Sequence, residues 1–78
     1  MKTVTIFSRT GCHLCESAIE QIESVKTDLD FKLEIKLIDN DPQLEKMYGE
    51  QVPVILIDQQ PHDYWRVDLS RFTAAIKA

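Results

Sequence analysis

From Lys2 to Ser8 the chain reads KTVTIFS, a β-branched run closed by Arg9, Thr10 and Gly11, and a first strand is predicted there. At Cys12 the period changes. Leu14, Ala18, Ile22, Val25 and Leu29 recur at steps of three and four, with Glu16, Glu20, Glu23 and Lys26 between them. That is the stripe of a helix of about four turns, ending within KTDLD. The next segment, FKLEIKLID (31–39), alternates: Phe31, Leu33, Ile35 and Leu37 on one side, Lys32, Glu34 and Lys36 on the other. The pattern predicts a strand with one wet face at a sheet edge, where charges also discourage pairing with other chains. NDPQLEKMYG (40–49) offers Asn40 or Asp41 as an N-cap, Pro42 at the first helical position, apolar Leu44, Met47 and Tyr48, and Gly49 as a stop. A short second helix satisfies all of these signals.

VPVILID (52–58) is apolar without alternation, as a central strand covered on both faces requires. QQP (59–61) can turn the chain into a short last strand, HDYWRV (62–67), with Pro61 at its start or on an edge. Asp68 can cap a third helix, LSRFTAAIKA (69–78), through Leu69, Phe72 and Ile76. The predicted order is β-α-β-α-β-β-α, an α/β arrangement. Its first crossover should be right-handed between parallel strands, and its last two strands should form an antiparallel hairpin.

With 78 residues the chain is expected to be one domain spanning 1–78, near the small end of what folds on a single core. Nine basic and thirteen acidic residues are interspersed, for a net charge of −4, so no nucleic-acid partner is expected. The N-terminal stretch lacks an apolar run, and neither a signal peptide nor a membrane span is read. A monomer in the cytoplasm is the default expectation. In that reducing compartment a close cysteine pair is more often catalytic or metal-binding than structural.

Cys12 and Cys15 are the only cysteines, and a bridge between them closes a loop too short to stabilise the fold appreciably. The pair could be a redox dithiol, half of a metal site, or two small buried apolar residues. A helical i, i+3 step separates the two Cα atoms by roughly 5 Å, within reach of a disulfide. The first helical turn presents unpaired N–H groups and the positive end of the macrodipole, which favour a thiolate at Cys12. Cys15, deeper in the helix, would then attack the mixed disulfide formed at Cys12. Arg9 can add positive potential to the same sulfur. His13 reads either as an exposed first-turn residue or as a charge that tunes the pair, stabilising the reduced form and making the disulfide more oxidising. Two cysteines are half of a zinc ligand set, and His13 and His62 are the only histidines, so no metal ligands are assigned.

SRTGCHLC (8–15) and QVPVILID (51–58) give the chain a resemblance, over nearly its whole length, to the glutaredoxin branch of the thioredoxin-like superfamily. The nearest group is a set of small glutaredoxin-like proteins with Cys-His-Leu-Cys. The first motif resembles Ser-Lys-x-x-Cys-x-x-Cys, with Arg9 where lysine is usual and Leu14 where tyrosine is usual. The second resembles the Thr-Val-Pro loop, with Gln51 in place of threonine. The resemblance implies a thioredoxin-like fold with a four-stranded mixed sheet and three helices. It also implies thiol–disulfide oxidoreductase activity, in which Cys12 attacks and Cys15 resolves. On the substrate side it implies Arg9, a cis Pro53, a Val52 backbone free to pair with an extended substrate, and Asp68.

The implied partners are a disulfide-containing protein or small thiol together with a thiol reductant, and no cofactor is required. Glutathione could be that reductant or substrate. However, glutathione-binding members carry Gly-Gly-x-x-Asp where this chain reads YWRVD (64–68), and Tyr64 and Trp65 could fill the tripeptide's groove. Asp68 matches the motif but serves equally as a helix cap. Two other roles remain open at this level. One is a module binding an iron–sulfur cluster or zinc between chains through Cys12 and an external thiol. The other is an interaction adaptor with little turnover.

Overall fold

The computed structural model describes residues 2–77, so the expected helical end at Ala78 lies outside the described residues. The element order is β1 (Lys2–Ser8), α1 (His13–Val25), β2 (Phe31–Leu37), α2 (Pro42–Tyr48), β3 (Val54–Ile57), β4 (Gln60–Tyr64) and α3 (Leu69–Lys77). The strands form one mixed sheet in the order β2-β1-β3-β4. β1 pairs with β2 in parallel and with β3 antiparallel, and β3 pairs antiparallel with β4.

Alternation along β1 divides the core between the two faces of the sheet. Val4 and Ile6 join Ala18 and Ile22 of α1, Phe31, Ile55, and Phe72 and Ile76 of α3 in one cluster. Phe31 and Phe72 meet there edge to face, with ring centroids 5.5 Å apart. Phe7 faces the other way, into a second cluster with Cys15, Ile38, Val52, Val54 and Leu56. Leu44 and Tyr48 of α2 pack on that cluster, and the Tyr48 ring stacks on Phe7 with centroids 4.9 Å apart. β3 is buried along most of its length, as its unbroken apolar run requires.

Helix starts follow the sequence signals. Asp41 caps α2 by accepting the Leu44 amide at 3.1 Å, with Pro42 in the first turn. Asp68 caps α3, its Oδ1 accepting the amides of Ser70 and Arg71 at 3.0 and 3.2 Å. Gly49 ends α2 with an ordinary helical φ of −50°, and what requires glycine there is space: a Cβ would collide with the Glu45 carbonyl.

Three expectations need correction. Leu14 is not part of the buried stripe of α1; it stands 56% exposed, and Cys15, Ala18 and Ile22 form the inner face. The hydrophobic side of β2 is covered only at its start, since β2 is a sheet edge whose far end the helices leave open: Phe31 is buried, Leu33 is half-buried, and Ile35 and Leu37 are exposed. β4 runs Gln60–Tyr64 and not 62–67, because Asp58 and Gln59 make the turn with successive left-handed φ values of 51° and 69°. Such two-residue hairpin turns favour Asn-Gly or Asp-Gly, so Asp-Gln carries a weak signal. Asp58 compensates by accepting the Thr3 amide through its carboxylate at 2.9 Å and donating its own amide to the Thr3 carbonyl at 2.8 Å.

Candidate functional site

The junction of β1 and α1 carries the cysteines. After Ser8 the chain turns through Gly11, whose left-handed φ of 77° glycine adopts most readily, and arrives at Cys12 in an extended conformation. Cys12 is the N-cap of α1. Its Sγ accepts the Cys15 amide at 3.2 Å, its carbonyl accepts the Glu16 amide at 3.1 Å, and its own amide donates to the Arg9 carbonyl at 3.3 Å. The sulfur therefore sits at the first turn of the helix and takes the place of a capping oxygen for the Cys15 amide.

The two thiols are free and differ in environment. Cys12 is half-buried and packs against the Val52 cluster, whereas Cys15 is only 1% exposed within it. Burial, then contact with Cys12, pushes the Cys15 thiol up, while the Ser8 side chain and the Arg9 backbone pull weakly the other way. Ser8 is itself buried. Sequence reading assigned Ser8 only to the motif; its role against Cys15 emerges from the fold.

The loop before Cys12 is pinned from outside. The Thr10 amide donates to Asp39 Oδ2 at 2.9 Å and the Thr10 hydroxyl donates to the same oxygen. These bonds, with a smaller contribution from the Arg9 charge, hold the Asp39 carboxyl below the usual range. Sequence alone singles out neither residue: Thr10 reads as a turn residue and Asp39 as the end of the strand segment 31–39. The Arg9 guanidinium donates from Nη1 to the Gly49 carbonyl at 2.9 Å, so its charged end is fixed at the end of α2. His13 points into solvent, 96% exposed, with Nδ1 3.7 Å from a Glu16 carboxylate oxygen.

Opposite the cysteines, the Val52–Pro53 peptide is cis and Pro53 is fully buried. Val52 shares the cluster of Cys12 and Cys15. Among the described residues no hydrogen bond engages its backbone amide or carbonyl, while the flanking Gln51 and Pro53 carbonyls are both taken by the Trp65 amide, at 3.3 and 2.9 Å. The Trp65 indole Nε1 donates to the Glu50 carbonyl at 2.8 Å, yet the side chain remains 57% exposed. Trp65 has a φ of 68°, the left-handed conformation glycine adopts most readily. An indole thus stands beside the segment that faces Cys12. Asp68, three residues on, has its carboxylate engaged in capping α3 and stands in a polar group with Asp63, Arg66 and Arg71.

Cys12, Cys15, Val52 and Pro53 are therefore brought together, Arg9 flanks them, and His13 and Asp68 stand apart. No group of three or more His, Cys, Asp or Glu side chains gathers among the described residues, so the two thiols offer a metal only part of a ligand set. No helix among them is long and apolar enough to cross a membrane.

A mixed β2-β1-β3-β4 sheet with three helices, a Cys-x-x-Cys pair at the start of α1 and a cis-proline ahead of β3 define a thioredoxin-like protein of the glutaredoxin type. The chain belongs to the family described as Glutaredoxin-like domain (DUF836), whose model matches residues 3–77. It is 31% identical over 78 residues to the uncharacterized protein Rv0508 of Mycobacterium tuberculosis, covering 94% of this chain and 80% of that protein. The solution structure of Ne2328 from Nitrosomonas europaea superposes with a TM-score of 0.84 at 26% identity, over 96% of this chain and 91% of that one. The X-ray structure of XcR50 from X. campestris gives 0.79 at 30% identity, over 95% of each chain. A thioredoxin of Malassezia sympodialis, 21% identical with a TM-score of 0.62 over 97% of this chain and 74% of that one, shares the fold.

Proposed function

We propose that the protein is a thiol–disulfide oxidoreductase that reduces a disulfide of a protein or small thiol through Cys12 and Cys15. The observation that carries this reading is the asymmetry of the pair: Cys12, half-buried, accepts an N–H on its Sγ at the helix start, while Cys15 lies fully buried with its thiol pushed up. The Cys12 thiolate attacks one sulfur of the substrate disulfide, forms a mixed disulfide and expels the other sulfur as a thiolate. Cys15 then loses its proton to the departing thiolate and attacks Cys12 Sγ, releasing the second substrate thiol and leaving a Cys12–Cys15 bridge. The substrate gains two electrons, the protein loses two, and an external thiol reductant restores the dithiol.

Late deprotonation of Cys15 suits this order, because a buried neutral thiol does not compete with Cys12 for the first attack. The unengaged Val52 backbone supports an extended substrate laid beside the cysteines as an added strand. Trp65 favours a polypeptide or another disulfide over glutathione, since its indole occupies ground next to that backbone.

The deciding experiment pairs two single variants. Cys12→Ser abolishes reduction of a test disulfide, and Cys15→Ser accumulates a mixed disulfide visible by mass spectrometry. If both variants reduced the test disulfide as fast as the parent, the proposal would fail.

A further inference from the structure

The two edges of the sheet are unlike. β4 is five residues long, is disturbed by a register shift opposite Ile55 and Leu56, and contains Pro61, which has no N–H to donate. β2 is seven residues long and pairs with β1 without a break from Phe31 to Leu37. The Ile38 amide donates to the Ser8 carbonyl at 2.9 Å, so the even-numbered residues of this strand turn their backbone groups toward β1. By the two-residue period, Leu33, Ile35 and Leu37 direct theirs outward. The same three residues carry the apolar side chains left half-buried or exposed, next to an open groove lined by Leu33, Ile35, Glu23, Lys26 and Thr27.

We infer that β2 is an association edge for a second copy of this chain, antiparallel about a two-fold axis through Ile35. In that register Ile35 faces its own copy, Leu33 faces Leu37 of the second copy and Leu37 faces its Leu33. On the opposite face Glu34 meets Lys36 and Lys36 meets Glu34. One alignment thus pairs outward backbone with outward backbone, covers the exposed apolar row, and sets each charge against its opposite. Moving the axis to Glu34 would set Glu34 against Glu34 and Lys32 against Lys36, which is repulsive. The alternating Lys-Glu-Lys face, read in the sequence as a guard against pairing, thereby selects a register. A single strand pair is a small contact, so the dimer is weak and concentration-dependent.

The test is sedimentation equilibrium of the whole chain up to roughly millimolar concentration, where weak contacts become populated. The expected result is a weight-average mass rising from 9.0 kDa toward twice that value. Glu34→Lys and Lys36→Glu each weaken association by roughly tenfold or more, as two favourable cross-strand pairs become repulsive. The double variant restores it. These two substitutions move the net charge in opposite directions, so a general charge effect would separate them whereas the proposed register makes both lose the dimer. A parent that stays at 9.0 kDa throughout, single variants that associate like the parent, or a double variant that does not recover would each overturn the proposal.

Discussion

Cys12 and Asp41 hold the same structural post. Each precedes a helix in an extended conformation, at φ −88°, ψ 108° and φ −117°, ψ 96° respectively. Each side chain accepts the amide three residues on, at 3.2 and 3.1 Å. At Asp41 the acceptor is a carboxylate oxygen, inert to exchange, and the result is a helix cap. At Cys12 it is sulfur, an atom capable of thiol–disulfide exchange, held in the same geometry. The lesson is that the Cys12 position itself needs no unusual backbone; it holds a nucleophile where this fold also uses an ordinary cap.

Exchanging the two roles tests that equivalence. The largest effect is expected from Cys12→Ser, which removes exchange chemistry altogether yet keeps thermal stability near that of the parent, because serine is a good N-cap. Asp41→Ala should do the reverse, lowering stability by about 1 kcal/mol in chemical denaturation while the reduced protein keeps its capacity to form mixed disulfides. If Cys12→Ser destabilised the chain as much as Asp41→Ala, the two posts would not be equivalent.

A smaller effect separates the junction from its surroundings. Trp65→Gly suits the left-handed φ of 68° and removes the indole beside Gln51 and Val52. Turnover of a glutathione mixed disulfide should rise, by roughly tenfold if the ring costs the tripeptide about 1.4 kcal/mol of binding. Unchanged turnover would place the partner preference elsewhere. The smallest effect concerns pH. The Asp39 carboxyl, held below the usual range by Thr10, contributes its contact fully above about pH 3.9, and that contribution is lost as pH falls through its lower folded value. The Thr10 amide resonance should report this transition by NMR, and Asp39→Asn should flatten it.

Much of this was legible in the sequence because periodicity records which side of an element is covered. KTVTIFS, the stripe through Ala18 and Ile22, and the run VPVILID located the layers, and the spacing of Cys12 and Cys15 located the site. What stayed hidden depends on neighbours distant along the chain. Leu14 and Leu37 fit their periods, but no element reaches them. Arg9 precedes the cysteines, yet its charge is captured by Gly49, forty residues on. Trp65 reads as a bulky substitute for glycine; only the fold reveals that it keeps a glycine's backbone conformation and holds the loop from Glu50 to Pro53.

That single tryptophan has an optical consequence. Its indole is partly in water and anchored by one hydrogen bond to the backbone beside Val52. Any molecule that settles along Val52 changes the hydration of the ring or breaks that bond, and either change alters the emission of the only indole fluorophore in the chain. Occupancy of the Val52 segment can therefore be followed in unlabelled protein by the colour of its own light.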